Sequence, residues 1–297
     1  MKEFDPNDLK KLYIPSPTSH KGQNGKLLLI GGSHLFHAAS LWALQISSRI
    51  VDMVFYASIP ENNQIVHEIK KEFRNGIVIP REQLENYIDE ADCILIGPGM
   101  VRTENKISNF QFSISNIKDI DKIPEEGEQT YLLTKYLLEK YPDKKWVIDA
   151  GALQMLDLSW LKSLKGRVVI TPHVREFITV FGVEPTPGVI EKMAKEYGII
   201  IVVKGHEDTI CSPTECVVVA GGNAGMTKGG TGDVLAGLIS ALACKNDLFL
   251  ASKAGSYFNK KAGEALYEKV GMYFNSSDLA EELPGVMKAL TVSQARL

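Results

Sequence analysis

Cysteine is scarce. Only Cys93, Cys211, Cys216 and Cys244 occur among 297 residues, and none forms a CxxC pair. That excludes a zinc-finger framework. Each cysteine sits in or beside an apolar run, so four buried, reduced thiols are expected. Charge of one sign is also lacking in excess: 33 Lys and Arg face 36 Asp and Glu, a net charge of −3. Non-specific nucleic-acid binding rests on a basic surface, so a nucleic-acid partner is not expected. No apolar run approaches the ~18 residues that span a bilayer. Residues 1–17 have no apolar centre of the kind a secretory signal needs. A cytoplasmic protein without a membrane partner is the expectation. The phosphate motif GxxxxGK[ST] is absent, which excludes a P-loop protein. Gly97-Pro98-Gly99 opens like a dinucleotide fingerprint, but Arg102 stands where its third glycine belongs.

What is present is the composition of a globular chain, 44% hydrophobic and 23% charged, long enough to bury a core without staples. Short apolar runs at 26–30, 53–58, 76–79, 93–96, 146–148, 167–170, 199–203 and 216–219 read as strands. Several are continuous rather than alternating, as a parallel sheet covered on both faces requires. Helical patterns fill 38–51, 64–73, 129–141, 189–197, 231–244 and 248–270. This rhythm implies an α/β fold, a central, mostly parallel sheet with helices on both faces. Residues 1–19 read as an N-terminal extension. Residues 101–128, rich in Asn, Ser, Asp and Glu, read as an insertion in a single domain over 1–297.

Five of the strands run directly into small or polar residues: Gly31-Gly32-Ser33, Gly97-Pro98-Gly99, Asp149-Ala150-Gly151, Thr171-Pro172-His173 and Lys204-Gly205-His206. Open α/β sheets bind ligands at that edge. The most informative stretch is Gly221–Leu242. Gly229, Gly230, Thr231 and Gly232 precede an apolar helix. Glycines allow close approach of a ligand to backbone N–H groups, and a helix start carries about half a positive charge. Together they suit a phosphate. Asp233 falls in the first turn, where a carboxylate repels phosphate. It makes sense as a base that takes a proton from an attacking hydroxyl. It is also explained as an acidic first-turn residue favoured by the dipole. His173 reads either as a ligand contact or as a loop cap.

The ordered motifs His20–Ser33, Ile94–Met100, Val147–Leu153, Val168–Phe177, Ile201–Gly205 (IVVKG) and Gly222–Gly237 (GNAGMTKGGTGDVLAG) resemble the ADP/ATP-dependent NAD(P)H-hydrate dehydratases of the ribokinase-like superfamily. The resemblance runs from about His20 to Leu283. It implies a ribokinase-like fold and a repair reaction. The hydroxyl of hydrated NAD(P)H is phosphorylated by ADP or ATP, and phosphate then leaves, restoring NAD(P)H. It implies Asp233 as the catalytic base. It places Gly229, Gly230, Thr231 and Gly232 on the transferring phosphoryl group, and Lys204, Gly205, His206, Glu207 and Asp208 at the nucleotide. Ala39, Gly99 and His173, with Asp233, would line the hydrated nicotinamide. Mg²⁺ is expected on the phosphates, with Glu176 orienting it through water and no metal ligand set readable. A homo-oligomer, such as a tetramer, is implied, and a separate epimerase for the hydrate is expected to act in the same pathway.

The chain departs from the family at Phe36-His37-Ala38-Ala39-Ser40, where Tyr-Thr-Gly-Ala-Pro is usual. It departs again at Gly151, where an acidic residue is common, and at Val174-Arg175, where Pro-Gly is usual. Lys228, unusual beside the glycines, is expected near a phosphate. Two alternatives share the same residues: a kinase of another small alcohol such as a vitamin precursor, and a non-catalytic nucleotide-binding protein.

Overall fold

A computed structural model describes residues 1–104, 114–164 and 166–292. Ten strands form one sheet: β1 Lys2–Glu3, β2 Lys26–Ile30, β3 Met53–Ala57, β4 Ile77–Val78, β5 Cys93–Ile96, β6 Trp146–Ile148, β7 Val168–Ile170, β8 Ile200–Val203, β9 Asp208–Cys211 and β10 Cys216–Val219. The helices are α1 His37–Ser47, α2 Pro60–Ile69, α3 Leu84–Ile88, α4 Glu126–Lys140, α5 Ala150–Gln154, α6 Val174–Phe181, α7 Pro187–Tyr197, α8 Thr231–Ala243, α9 Leu248–Val270 and α10 Ser276–Val292. The strand order is β1-β10-β9-β8-β7-β6-β5-β2-β3-β4. From β8 through β4 every pairing is parallel, while β9 runs antiparallel to both its neighbours.

Alternate residues of the continuous apolar strands serve the two faces, as the pleat demands. Leu27, Leu29, Val54, Tyr56, Cys93 and Leu95 pack with Leu235, Leu238 and Phe258 of α8 and α9. Leu28, Ile30, Phe55, Ile94, Ile96 and Trp146 pack with Leu133 and Leu137 of α4 and with Phe177 and Ile190 of α6 and α7. The sheet is therefore buried on both sides. The chain proceeds outward from β2 through β3 to β4, then returns to β5 on the other side of β2, making the gap between β2 and β5 a switch point. Loops at a switch point diverge and leave a crevice at the strands' carboxyl ends. Here Gly31-Gly32 and Gly97–Gly99 meet, with the Gly32 amide donating to the Pro98 carbonyl at 2.7 Å.

The sequence expectation is corrected at two of the cysteines. Cys211 and Cys216 are disulfide-bonded, while Cys93 and Cys244 are free and buried. The two lie opposite one another in the β9–β10 ladder, with Cα atoms 4.1 Å apart. The sequence gives no sign of β9, so nothing in it brings Cys211 across from Cys216. β1, two residues long, carries no apolar run either, and it pairs with β10 at the sheet's margin. Behind it, Phe4, Leu9 and Leu12 are buried, which ties the N-terminal segment to the core.

In the segment 101–128, residues 105–113 lie outside the described residues. Ile117, Ile120 and Ile123 are buried. α4 starts at Glu126, three residues before the expected 129, because the Glu125 carboxylate caps the amides of Gly127 and Glu128.

Candidate active site

Gly230 begins the site. Its φ of +96° is left-handed, and a Cβ there would lie 2.3 Å from the Trp42 ring, so glycine is required for the chain to turn into α8. Side chains fix the turn from behind. Thr231 Oγ1 donates to the carbonyls of Met226 and Lys228, and Ser276 Oγ donates to that of Gly229. The first amides of α8 lack intrahelical acceptors, as at any helix start.

Lys204 lies beneath this turn. β7 and β8 run on past their ends far enough for His173 and Lys204 to form a further parallel bridge. Lys204 Nζ is 2.9 Å from Asp149 Oδ1 and 3.9 Å from Glu176 Oε2. A Cβ on Gly232 would lie 3.3 Å from it. Asp149 is 1% exposed, and Thr171 Oγ1 also donates to its Oδ1, at 2.8 Å. Glu176 is buried. Its Oε2 accepts from the His173 amide at 2.9 Å and its Oε1 from Gln154 Nε2 at 3.0 Å.

One ammonium thus serves Asp149 and Glu176, with Asp233 as the third carboxyl. Burial pushes the Asp233 carboxyl up, the charge of Asp149 adds to the rise and Lys204 opposes it, leaving its pKa at about 7. Burial alone would lower Lys204, but Asp149, Glu176 and Asp233 outweigh it and raise its pKa. An aspartate that is half-ionised near neutrality suits proton transfer at that pH. No cluster of three His, Cys, Asp or Glu side chains fit to hold a metal occurs among the described residues. Mg²⁺ accepts few protein ligands and keeps waters and phosphates. With both Glu176 oxygens already engaged, the residues fit an ion carried on phosphates and reached through water.

His173, Lys204, Gly205, His206, Asp208, Thr231 and Gly232 line one cleft of about 640 Å³, together with Gly221, Gly222, Met226, Leu235 and Asn259. Gly229, Gly230 and Asp233 adjoin it without being part of its lining, and Glu207 is exposed outside it. The Asp208 carboxylate is occupied within the protein, by the Gly205 amide at 3.0 Å, Ser256 Oγ at 2.6 Å and Lys260 Nζ at 3.2 Å. Lys228 borders the cleft, but the carbonyls of Met272 and Phe274 hold its ammonium. His173 caps α6: its Nδ1 accepts from the Glu176 amide at 3.1 Å. Nδ1 is therefore the ring's acceptor, and Nε2, 3.6 Å from Glu176 Oε2, is its remaining donor position.

Ala39 and Gly99 meet at the β2–β5 crevice, where a Cβ on Gly99 would be 3.1 Å from the Ala39 Cβ. Gly151 has a local reason as well. A Cβ there would sit 2.1 Å from the Met100 carbonyl oxygen, so this backbone has no room for the acidic residue common in the resembled family.

Asp149 and Lys260 are the residues that sequence reasoning left without a role. Asp149 could have been found as a carboxylate at a strand end. Lys260 lies in a helix whose periodicity reads as core. The model of one family, described as NAD(P)H-hydrate dehydratase, matches residues 27–285. The chain belongs to the NAD(P)H-hydrate dehydratase family.

Within this family, the chain is 32% identical over 286 residues to the bifunctional NAD(P)H-hydrate repair enzyme of Methanocaldococcus jannaschii, covering 95% of this chain and 52% of that protein. It thus spans about half the length of the bifunctional relatives. It is also 32% identical over 291 residues to the ADP-dependent (S)-NAD(P)H-hydrate dehydratase of Nitrosopumilus maritimus, covering 94% of this chain and 95% of that one. Among solved structures, a ribokinase-like superfamily protein of Enterococcus faecalis matches with a TM-score of 0.79 at 22% identity, over 97% of this chain and 96% of that one. The ADP/ATP-dependent NAD(P)H-hydrate dehydratase of Bacillus subtilis, co-crystallised with ATP and Mg²⁺, matches at 0.74 and 21% identity over 97% and 98%. The fold is ribokinase-like. Among the described residues no helix is long and apolar enough to cross a membrane.

Proposed function

We propose that this chain restores NAD(P)H from its hydrate in an ADP- or ATP-dependent dehydration, with Asp233 as the base. The observation that carries the proposal is the Asp233 carboxyl, with a pKa of about 7, in the first turn of a glycine-started helix. Asp233 takes the proton of the ring hydroxyl, and that oxygen attacks the terminal phosphorus of the nucleotide. The bond to the bridging oxygen breaks, and AMP or ADP leaves. The phosphate ester then eliminates phosphate with loss of the neighbouring ring proton, which reforms the double bond. Glu176 would orient, through water, a Mg²⁺ carried on the phosphates, and that ion would supply charge neutralisation there. The amides of Gly232 and its neighbours and the helix start meet the transferring group, in place of an Arg or Lys clamp. Lys204 works from behind by keeping Asp149 and Glu176 paired, which limits how far Asp233 is pushed up.

The nucleotide lies in the cleft between the Lys204–Asp208 loop and Gly221–Gly222. The hydrated nicotinamide lies toward Ala39, Gly99 and His173, whose Nε2–H offers a donor. We further propose a single-domain, cytoplasmic homo-oligomer served by an NAD(P)H-hydrate epimerase. The relatives named as bifunctional, about twice the length matched here, support a second activity on the same substrate.

The test mixes the protein with hydrated NADH, Mg²⁺ and either ADP or ATP and follows dihydronicotinamide absorbance. Recovery is expected with one nucleotide or both. A stable phosphate ester of another alcohol, without recovery, would establish a small-alcohol kinase instead. No turnover with any of these overturns the catalytic reading.

A further inference from the structure

α9 presents Ser256, Asn259 and Lys260 on one face, three and four residues apart. Two of the three spend their polar groups on the nucleotide loop: Ser256 Oγ on Asp208, and Lys260 Nζ on the carbonyls of Gly205 and His206 at 3.1 and 2.9 Å. Asn259 does not. It is 5% exposed, it lines the cleft, and its Oδ1 is buried with no hydrogen-bond partner. A buried acceptor left unmade is costly, and native proteins rarely keep one without use. The cleft it lines combines apolar side chains, Leu235 and Met226, and the bare backbone of Gly221-Gly222 with polar groups such as His206, Asn223 and Thr227. A cleft that offers apolar surface beside one unspent carboxamide suits a heterocyclic base.

We propose that Asn259 reads the base of the nucleotide and selects adenine. A carboxamide matches the N6/N7 edge of adenine on both counts, since its oxygen accepts from the exocyclic amino group and its nitrogen donates to N7. Hypoxanthine and guanine present two acceptors, O6 and N7, at that edge, so no donor is left there for Asn259 Oδ1. This rests on the proposed nucleotide cleft and adds to it the residue that sets base choice.

The test is calorimetric titration of the full chain with Mg²⁺ and no hydrate, using ADP, ATP, inosine 5′-diphosphate and 2′-deoxy-ADP. The wild type should bind ADP about tenfold tighter than the inosine nucleotide, the scale of one hydrogen bond to a buried group. It should bind 2′-deoxy-ADP like ADP. Asn259→Leu and Asn259→Ser should erase the preference by weakening ADP alone, with melting curves confirming the fold. Equal binding of the two bases by the wild type, a preference that survives in both variants, or sensitivity to the 2′-hydroxyl rather than to the base overturns the inference and leaves the nucleotide cleft standing. Failure of both ADP and ATP to bind overturns the cleft assignment and this inference with it.

Discussion

Replacing Asp233 with Asn should stabilise the protein while abolishing its chemistry, and the stabilisation should depend on pH. In the unfolded chain the carboxyl ionises near 3.8, and in the fold near 7. Below 3.8 it is protonated in both states and costs nothing. Between 3.8 and 7 only the unfolded state ionises, so stability falls as pH rises. Above 7 both states are ionised and the deficit is constant. The full difference corresponds to about 4 kcal/mol, and partial solvent access should reduce it to about 2 kcal/mol. Asn keeps the shape and removes the charge. At pH 8, Asp233→Asn should therefore gain about 2 kcal/mol, a Tm rise of about 4 °C for a chain of this size. At pH 4 the gain should vanish. Urea denaturation and thermal melts at pH 4, 6 and 8, with turnover measured alongside, make the check. A gain of equal size at pH 4 and pH 8, or a loss at pH 8, would refute the reasoning.

With Asp233 as the proposed base, its ionised form would be the active one, so wild-type turnover should climb through an inflection near pH 7 to a plateau. In Lys204→Met the opposing charge is gone, so that inflection should move alkaline. The same variant leaves the buried Asp149 without its cation and should lose about 3–5 kcal/mol in denaturant titration; an unmoved inflection would separate Lys204 from Asp233. Gly151→Asp drives a Cβ toward the Met100 carbonyl and should cost about 1–3 kcal/mol, so wild-type stability would show that the segment relaxes freely. Denatured, unreduced protein should titrate as two thiols, from Cys93 and Cys244. Reduction should lower stability by about 2 kcal/mol, as expected for so short a closed loop; four thiols before reduction would contradict the disulfide.

The strands that build the sheet's middle were legible because a strand buried on both faces must be apolar at every position, and such runs are easy to see. α9 begins and ends where its pattern does, at Leu248 and Val270. β9 escaped notice. Asp208–Cys211 reads DTIC, with polar Asp208 and Thr209 ahead of only two apolar residues, so it shows no continuous apolar run. Helix starts drifted where a cap outside the periodic stretch moved them, as Glu125 does for α4.

By itself, the sequence determined the layered α/β class and the glycine turn ahead of α8, with an aspartate in the first turn that follows it. Those features are local, set by side-chain period and by where a chain can turn. Only the tertiary structure decided what surrounds that aspartate. Lys204 and Asp149 are 55 residues apart in sequence yet share a hydrogen bond. β6, β7 and β8 are parallel neighbours whose carboxyl ends lie together, so their strand-end residues converge beside α8. A carboxyl's acidity depends on burial and on charges across a few ångströms. For Asp233 those charges come from other strands, so its poise near neutrality belongs to the fold.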